Sequence, residues 1–151
     1  MLKLDNLDRQ IISIIAENAR IPFKDVAEKC GVSRTSVYQR VQHMIDEHII
    51  TGSSYNINPK SLGYLTCTYV GIKLVRGSYF ESVSASLKEI PEIVECHYAT
   101  GPYALIIKLY VKDNEQLMQV LNKKIQVIEG IDATETMISL EEVFSRPLQI
   151  S

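Results

Sequence analysis

The residues of this chain best suited to chemistry are Ser33, Arg34, Thr35, Ser36, Gln39 and Arg40, with Lys24 a short way upstream. Ser33 suits a helix N-cap, because its hydroxyl can accept from an N–H that the first turn leaves unpaired. Gly31, two residues earlier, suits a tight turn out of a preceding helix. Val37, Val41, Met44 and Ile45 then recur at i, i+4, i+7 and i+8, which makes one apolar stripe. The opposite face carries Thr35, Ser36, Gln39, Gln42 and His43, flanked by Arg34 and Arg40. Such side chains offer donors and acceptors to base edges, and guanidinium groups pair with guanine or with phosphate. The pattern predicts a DNA recognition helix. A merely solvated face is the plain alternative, since every amphipathic helix has one.

The neighbouring elements bear on that choice. A first helix is expected over about Asn6 to Asn18, with Leu7, Ile11, Ile14 and Ile15 inward and Asp5 or Asn6 as cap. Pro22 suits the first turn of a second helix, where its missing N–H costs nothing. Phe23, Val26, Ala27 and Cys30 give that helix its apolar side, and Gly31 ends it. Three helices with a tight turn between the last two are a helix-turn-helix, in which the start of the last helix meets the bases. Arg34, Thr35, Ser36 and Gln39 are therefore the expected base readers, and Arg40 and Lys24 the expected phosphate contacts. Arg9 and Arg20 fit packing or local ion pairs, and His43 a surface position. Asp46 and Glu47 belong away from the duplex.

Past this helix, Ile50 to Ile57 reads as an extended segment, a small wing or strand. Asn58-Pro59 opens a turn that Gly63 closes, so residues 1–57 form one domain, 58–64 a linker and 65–151 a second domain. The second domain alternates periods. Leu65 to Val75 is a strand, and Phe80, Val83, Leu87 and Ile90 mark a helix over Gly77 to Ile90, stopped by Pro91. Ile93 to Ala99 and Tyr103 to Val111 are strands about the turn Thr100-Gly101-Pro102. Asp113 caps a helix that runs to Gly130, with Gln116 in the reciprocal place of a capping box and Leu117, Leu121, Ile125 and Ile128 inward. Ile131 to Phe144 is the last strand. The fold class is α+β: a winged helix-turn-helix followed by a β-α-β-β-α-β, ferredoxin-like domain.

With 46% hydrophobic and 23% charged residues, a packed core is expected and disorder is not. A net charge of −2 argues against binding nucleic acid by bulk electrostatics. Residues 1–60 hold eight Lys and Arg against seven Asp and Glu, whereas 61–151 hold eight against eleven, so the front of the chain is the less acidic part. Cys30, Cys67 and Cys96 lack metal-ligand spacing and fit small buried hydrophobes in a reducing, cytoplasmic compartment. Met1-Leu2-Lys3-Leu4-Asp5 has no leader pattern, and no apolar run approaches a membrane span.

The order and spacing of several short pieces resemble the Lrp/AsnC, or feast/famine, family of transcription regulators over essentially the whole chain, nearer its asparagine-responsive branch. The pieces are Leu7-Asp8-Arg9, Asn18-Ala19-Arg20, Val32-Ser33, Arg40-Val41, Ile49-Ile50-Thr51-Gly52, Leu62-Gly63-Tyr64, Thr100-Gly101 with Tyr103, and Thr134-Glu135-Thr136. The resemblance implies double-stranded DNA as partner, a dimer assembling to an octamer, and an amino acid bound in a cleft between dimers. Carried over, the effector positions are Tyr98, Thr100, Gly101, Tyr103, Ala104 and Gln126, with Thr134 and Thr136. Backbone amides at a glycine turn suit an α-carboxylate, and Gln126 suits a polar side chain. One departure stands out. The family turn often reads Gly-Asp-Tyr-Asp, whereas here Gly101-Pro102-Tyr103-Ala104 holds no carboxylate.

Other classes fare less well. His43, His48 and His97 are not spaced as metal ligands, no nucleophile–base set is visible, and no cofactor is expected. Sirohaem decarboxylases share the outline, so a haem-handling enzyme is the remote alternative, with His97 the residue to watch. A low-specificity DNA-organising protein differs from a specific regulator only in how sequence-tolerant the third helix is.

Overall fold

Asp5 opens α1 (Asn6–Glu17): its carboxylate accepts from the Asp8 N–H at 2.8 Å while Asp8 accepts from the Asp5 N–H at 3.1 Å. This reciprocal pair satisfies two donors that a helix start otherwise leaves open. The computed structural model describes residues 3–151; Met1 and Leu2, part of the stretch read above for a leader, lie outside the described residues. Pro22 is the N-cap of α2 (Phe23–Cys30), one place ahead of its expected position. Gly31 ends α2 in the left-handed region, with φ 66°. Ser33 then caps α3 (Arg34–Asp46), accepting from the Ser36 N–H at 3.1 Å.

Ile11, Val26, Ala27, Val37, Val41 and Met44 form the core of this three-helix unit. Each large side chain removed from water there contributes about 1.5–3 kcal/mol. Ile45, expected in the stripe, is 41% exposed. It lies about 80° around the helix from Val37, at the margin of the buried face. The chain instead reverses at His48, φ 57°, and both Ile49 and Ile50 donate to the Met44 carbonyl at 2.9 and 3.0 Å. That turn carries Ile49 and Ile50 against the core. The expected wing does not form: residues 51–58 hold no strand among the described residues, and Tyr55 lies under the Arg20 guanidinium at 5.6 Å.

The chain divides into two units. One joins the residues up to Asn56 to the terminal segment Phe144–Ser151; the other is Ile57–Val143. The sequence placed the terminal segment with the second domain, but Arg9 donates to the Ser151 carbonyl at 2.6 Å. The expected linker is a 3₁₀ turn, Pro59–Leu62, closed by Gly63 at φ 86° and belonging to the second unit.

That unit holds β1 (Thr66–Leu74), α4 (Phe80–Lys88), β2 (Ile93–Tyr98), β3 (Leu105–Val111), α5 (Asn114–Gln119) and β4 (Ile131–Ser139). The strands lie in the order β2-β3-β1-β4 with every neighbour antiparallel, the ferredoxin-like arrangement. Strand alternation sends Val70, Ile72, Leu105, Ile107 and Leu109 to one core with Val83, Leu87, Leu117, Val120 and Ile125 of the helical segments. Tyr69, Gly71, Lys73, Lys108, Glu135 and Met137 consequently share the opposite face.

The last helix departs from its expected form. Asp113 accepts from the Gln116 N–H at 2.8 Å, but the Gln116 side chain accepts from the Lys112 N–H, so the capping box is displaced by one residue. After α5 the backbone widens into a π-helical stretch, Val120–Ile125, with the Gln126 N–H donating to Leu121 five residues back. Leu121 packs against the core as its spacing implied, and Val120 beside it is buried as well. β4 stops at Ser139, five residues short of the expected Phe144.

Candidate functional site

Arg34, Thr35 and Gln39 are exposed along α3, with Ser33 exposed ahead of them and Ser36 half-buried. Lys24 is exposed on α2. The buried stripe Val37-Val41-Met44 fixes which way this face turns, and the Ser33 cap fixes where it begins. Gln42 donates to Asp46 at 3.1 Å, which ties down the far end of the helix.

Arg40, expected on phosphate, is engaged within its own unit. Its Nη1 lies 2.7 Å from Asp5 and 2.8 Å from Asp8, so the guanidinium joins α3 to the capping box of α1. Two carboxylates offset its charge within the unit. The Asp8 N–H, followed by Arg40, holds the Asp5 carboxyl below its ordinary 3.8. A carboxylate with a depressed pKa contributes stability above its unfolded value and loses it as pH falls through the folded one. Arg40→Met, which keeps the aliphatic stem, is therefore expected to destabilise the first unit at neutral pH. The gap to wild type should start to narrow as pH falls below 3.8 and close only once pH has passed through the lower, folded-state value. Urea titrations across this range check this; a gap that persisted in acid would assign the loss to packing.

Sequence reasoning passed over Tyr38. Its side chain is 57% exposed, one turn after Arg34, and its ring meets Phe23 edge-on with centroids 6.4 Å apart. The available signal was an aromatic residue off the apolar stripe of a helix already read as functional.

The second set of expected residues divides into three groups. At the β2–β3 turn, Thr100 and Gly101 are exposed and Gly101 has φ 106°. The turn is pinned by the Ala99 N–H on the Ala104 carbonyl and the Ala104 N–H on the Ile72 carbonyl, each at 3.0 Å. Tyr103 lays its ring over Gly71, where a Cβ would come within 2.6 Å of the ring, and its hydroxyl donates to Glu135 on β4. That bond, with burial second, raises the Tyr103 pKa. Gln126 donates to Thr134 at 3.1 Å, while Thr136 is exposed at the sheet edge opposite Val70. Tyr98 stands apart from both, packed on Phe80 with ring centroids 4.3 Å apart, in a groove of about 490 Å³ between α4 and β2.

Glu135 is the second residue that sequence reasoning missed as a site member. The turn itself has no carboxylate, yet Glu135 brings one to Tyr103 from the far side of β1. Its place between Thr134 and Thr136 was a local hint, but its reach to Tyr103 depends on a register opposite Gly71 that only the fold sets. His97 faces solvent and pairs with Glu95 at 3.2 Å. Cys96, expected to be buried, is exposed at its residue surface. Among the described residues no three His, Cys, Asp or Glu gather as a metal set, and no helix is long and apolar enough to cross a membrane.

Comparison with known proteins places this geometry. Residues 4–45 match the AsnC-type helix-turn-helix domain, and residues 67–149 the Lrp/AsnC ligand binding domain. The chain is 36% identical over 146 residues to the regulatory protein AsnC of Escherichia coli K12, covering 97% of this chain and 96% of that one. It is 31% identical over 138 residues to the transcriptional regulator FL11 of Pyrococcus furiosus, covering 91% and 90% of the two chains. The solved structure of E. coli AsnC superposes with a TM-score of 0.93 at 36% identity, over 98% of this chain and 99% of that one. A feast or famine regulatory protein from M. tuberculosis, complexed with L-methionine, superposes at 0.92 and 25% identity over 99% and 100%. The helix-turn-helix and the ligand-binding domain match in order and over nearly the whole length of both chains, and the chain belongs to the Lrp/AsnC family of DNA-binding transcription regulators.

Proposed function

We propose that this regulator reads DNA through Ser33, Arg34, Thr35, Ser36 and Gln39, with Lys24 on phosphate, and answers to an amino acid or a related small metabolite. The observation that carries the first half is the exposed, capped start of α3 above a fixed apolar stripe. The L-methionine bound to the M. tuberculosis relative supports an amino acid as the class of effector. The Gly101 turn, Tyr103 with Ala104, and the Gln126–Thr134 pair with Thr136 are the groups we assign to it; Glu135 joins them as the carboxylate that the turn lacks. Tyr98 belongs to the rim on the α4 side.

The chain acts in the cytoplasm and carries no catalytic step; its output is occupancy of DNA. One recognition helix with weak net charge buries too little surface for tight, specific binding, so at least two heads engage together. Dimers form through the second unit and assemble to an octamer. The unpartnered sheet face with Tyr69 and Met137, and the open edges of β2 and β4, support that assembly. An effector between dimers alters which assembly is populated and hence how many heads reach DNA at once.

Calorimetry against a panel of L-amino acids tests the effector. One of them is expected to bind, and Gln126→Ala to weaken it about fivefold, the worth of one hydrogen bond. Heat from none of them, or unchanged sedimentation and DNA affinity at saturation, would sink the effector half of this reading.

A further inference from the structure

Tyr38 is a large aromatic side chain left 57% exposed on the helix assigned to the DNA, and neither core nor cap accounts for it. Val37, Val41 and Met44 bury the inner stripe without it. Its ring is nonetheless held: Phe23 of α2 meets it at 6.4 Å with the planes at 61°. An edge-on contact of this kind restrains an aromatic ring while leaving much of its surface open. The ring stands one turn beyond Arg34, and a helical turn advances about 5.4 Å. Base pairs are stacked about 3.4 Å apart, so a ring displaced in this way meets the groove one or two base pairs from the one Arg34 reaches. What an apolar ring can recognise on the floor of a major groove is the C5-methyl of thymine, the only apolar group displayed there.

We propose that Tyr38 is a specificity residue that packs against a thymine methyl one or two base pairs from the guanine read by Arg34. The inference rests on the DNA-reading role of α3. Its chemistry is distinct from the polar set on either side, since it adds shape and apolar contact rather than hydrogen bonds. The phenol hydroxyl, at the far end of the ring, is not needed for it.

Binding sites selected from random duplexes by the full-length wild-type protein provide the test. Each thymine is then replaced singly by deoxyuridine, which removes only the methyl group. Wild type is expected to lose about fourfold in affinity at one thymine per half-site, the worth of one buried methyl. Tyr38→Phe should keep that sensitivity, and Tyr38→Ala should bind thymine and deoxyuridine alike. The comparison is a ratio within one variant, so general weakening of the fold does not mimic it. Indifference of the wild type to every thymine methyl, or unchanged sensitivity in Tyr38→Ala, overturns the assignment while leaving the DNA-reading role of α3 standing. A wild type that selected no duplex at all would overturn both.

Discussion

Arg34→Ala is expected to cost about 1–3 kcal/mol on a preferred half-site and almost nothing on a random duplex, so that the preference itself flattens. The exposed guanidinium at the capped start of α3 has no partner assigned among the described residues, in contrast to Arg40. A guanidinium free of carboxylates can pair in a bidentate way with guanine, a contact that no other base reproduces. Lys24→Ala should behave differently. A lysine on phosphate adds the same free energy on every sequence, so its loss weakens all duplexes alike and lowers the salt slope by about one unit. Titrations of both variants on preferred and scrambled duplexes at several salt concentrations separate the two roles. If Arg34→Ala left affinity and preference untouched, the outward face of α3 would not be the reading face.

That contrast between Arg34 and Arg40 marks where sequence reading runs out. Both arginines flank the same polar face, and spacing alone treats them alike. Asp5 and Asp8, which claim Arg40, are more than thirty residues upstream. Nothing in α3 announces them. The capping box that orients these carboxylates was half legible, because Asp5 was recognised as a cap. The elements themselves were readable because each rests on local signals: Gly31 for a left-handed end, Ser33 for a cap, Pro91 for a stop. Local signals say nothing of what crosses the sheet. Glu135 reaches Tyr103 only because β4 pairs with β1 in a register that sets it opposite Gly71. The missing wing has the same origin. A β-rich stretch becomes a strand only with a ladder partner, and residues 51–58 find none among the described residues. The π-helical turn at Val120–Ile125 could not be foreseen either, since no residue pattern in the segment marks the step to wider backbone bonding.

The largest loss of stability is expected from Gly130→Ala, by about 2–4 kcal/mol in the second unit. Two separate costs meet at this position. Gly130 has φ 99°, a backbone conformation that any Cβ makes unfavourable by about 1–2 kcal/mol. Its neighbour is the root of the Tyr79 side chain, with the Tyr79 Cβ only 2.6 Å from where the new methyl would stand. A flexible tip could swing away from that, but the base of a ring cannot move without its backbone. Tyr79 also packs against the core of the sheet, so displacing it disturbs that packing. Nor can the Gly130 backbone easily yield, because its carbonyl accepts from the Val75 N–H at 2.8 Å and so fixes the start of β4 beside the end of β1. Each kcal/mol lost should lower the melting temperature of a domain this size by about 4–8 °C. Combining Gly130→Ala with Tyr79→Ala separates the two costs. Removal of the ring relieves the clash but not the backbone strain, so the double variant should lose clearly less than the sum of the single ones. Simple additivity in denaturant titrations would mean that the ring plays no part and that backbone conformation alone requires glycine here.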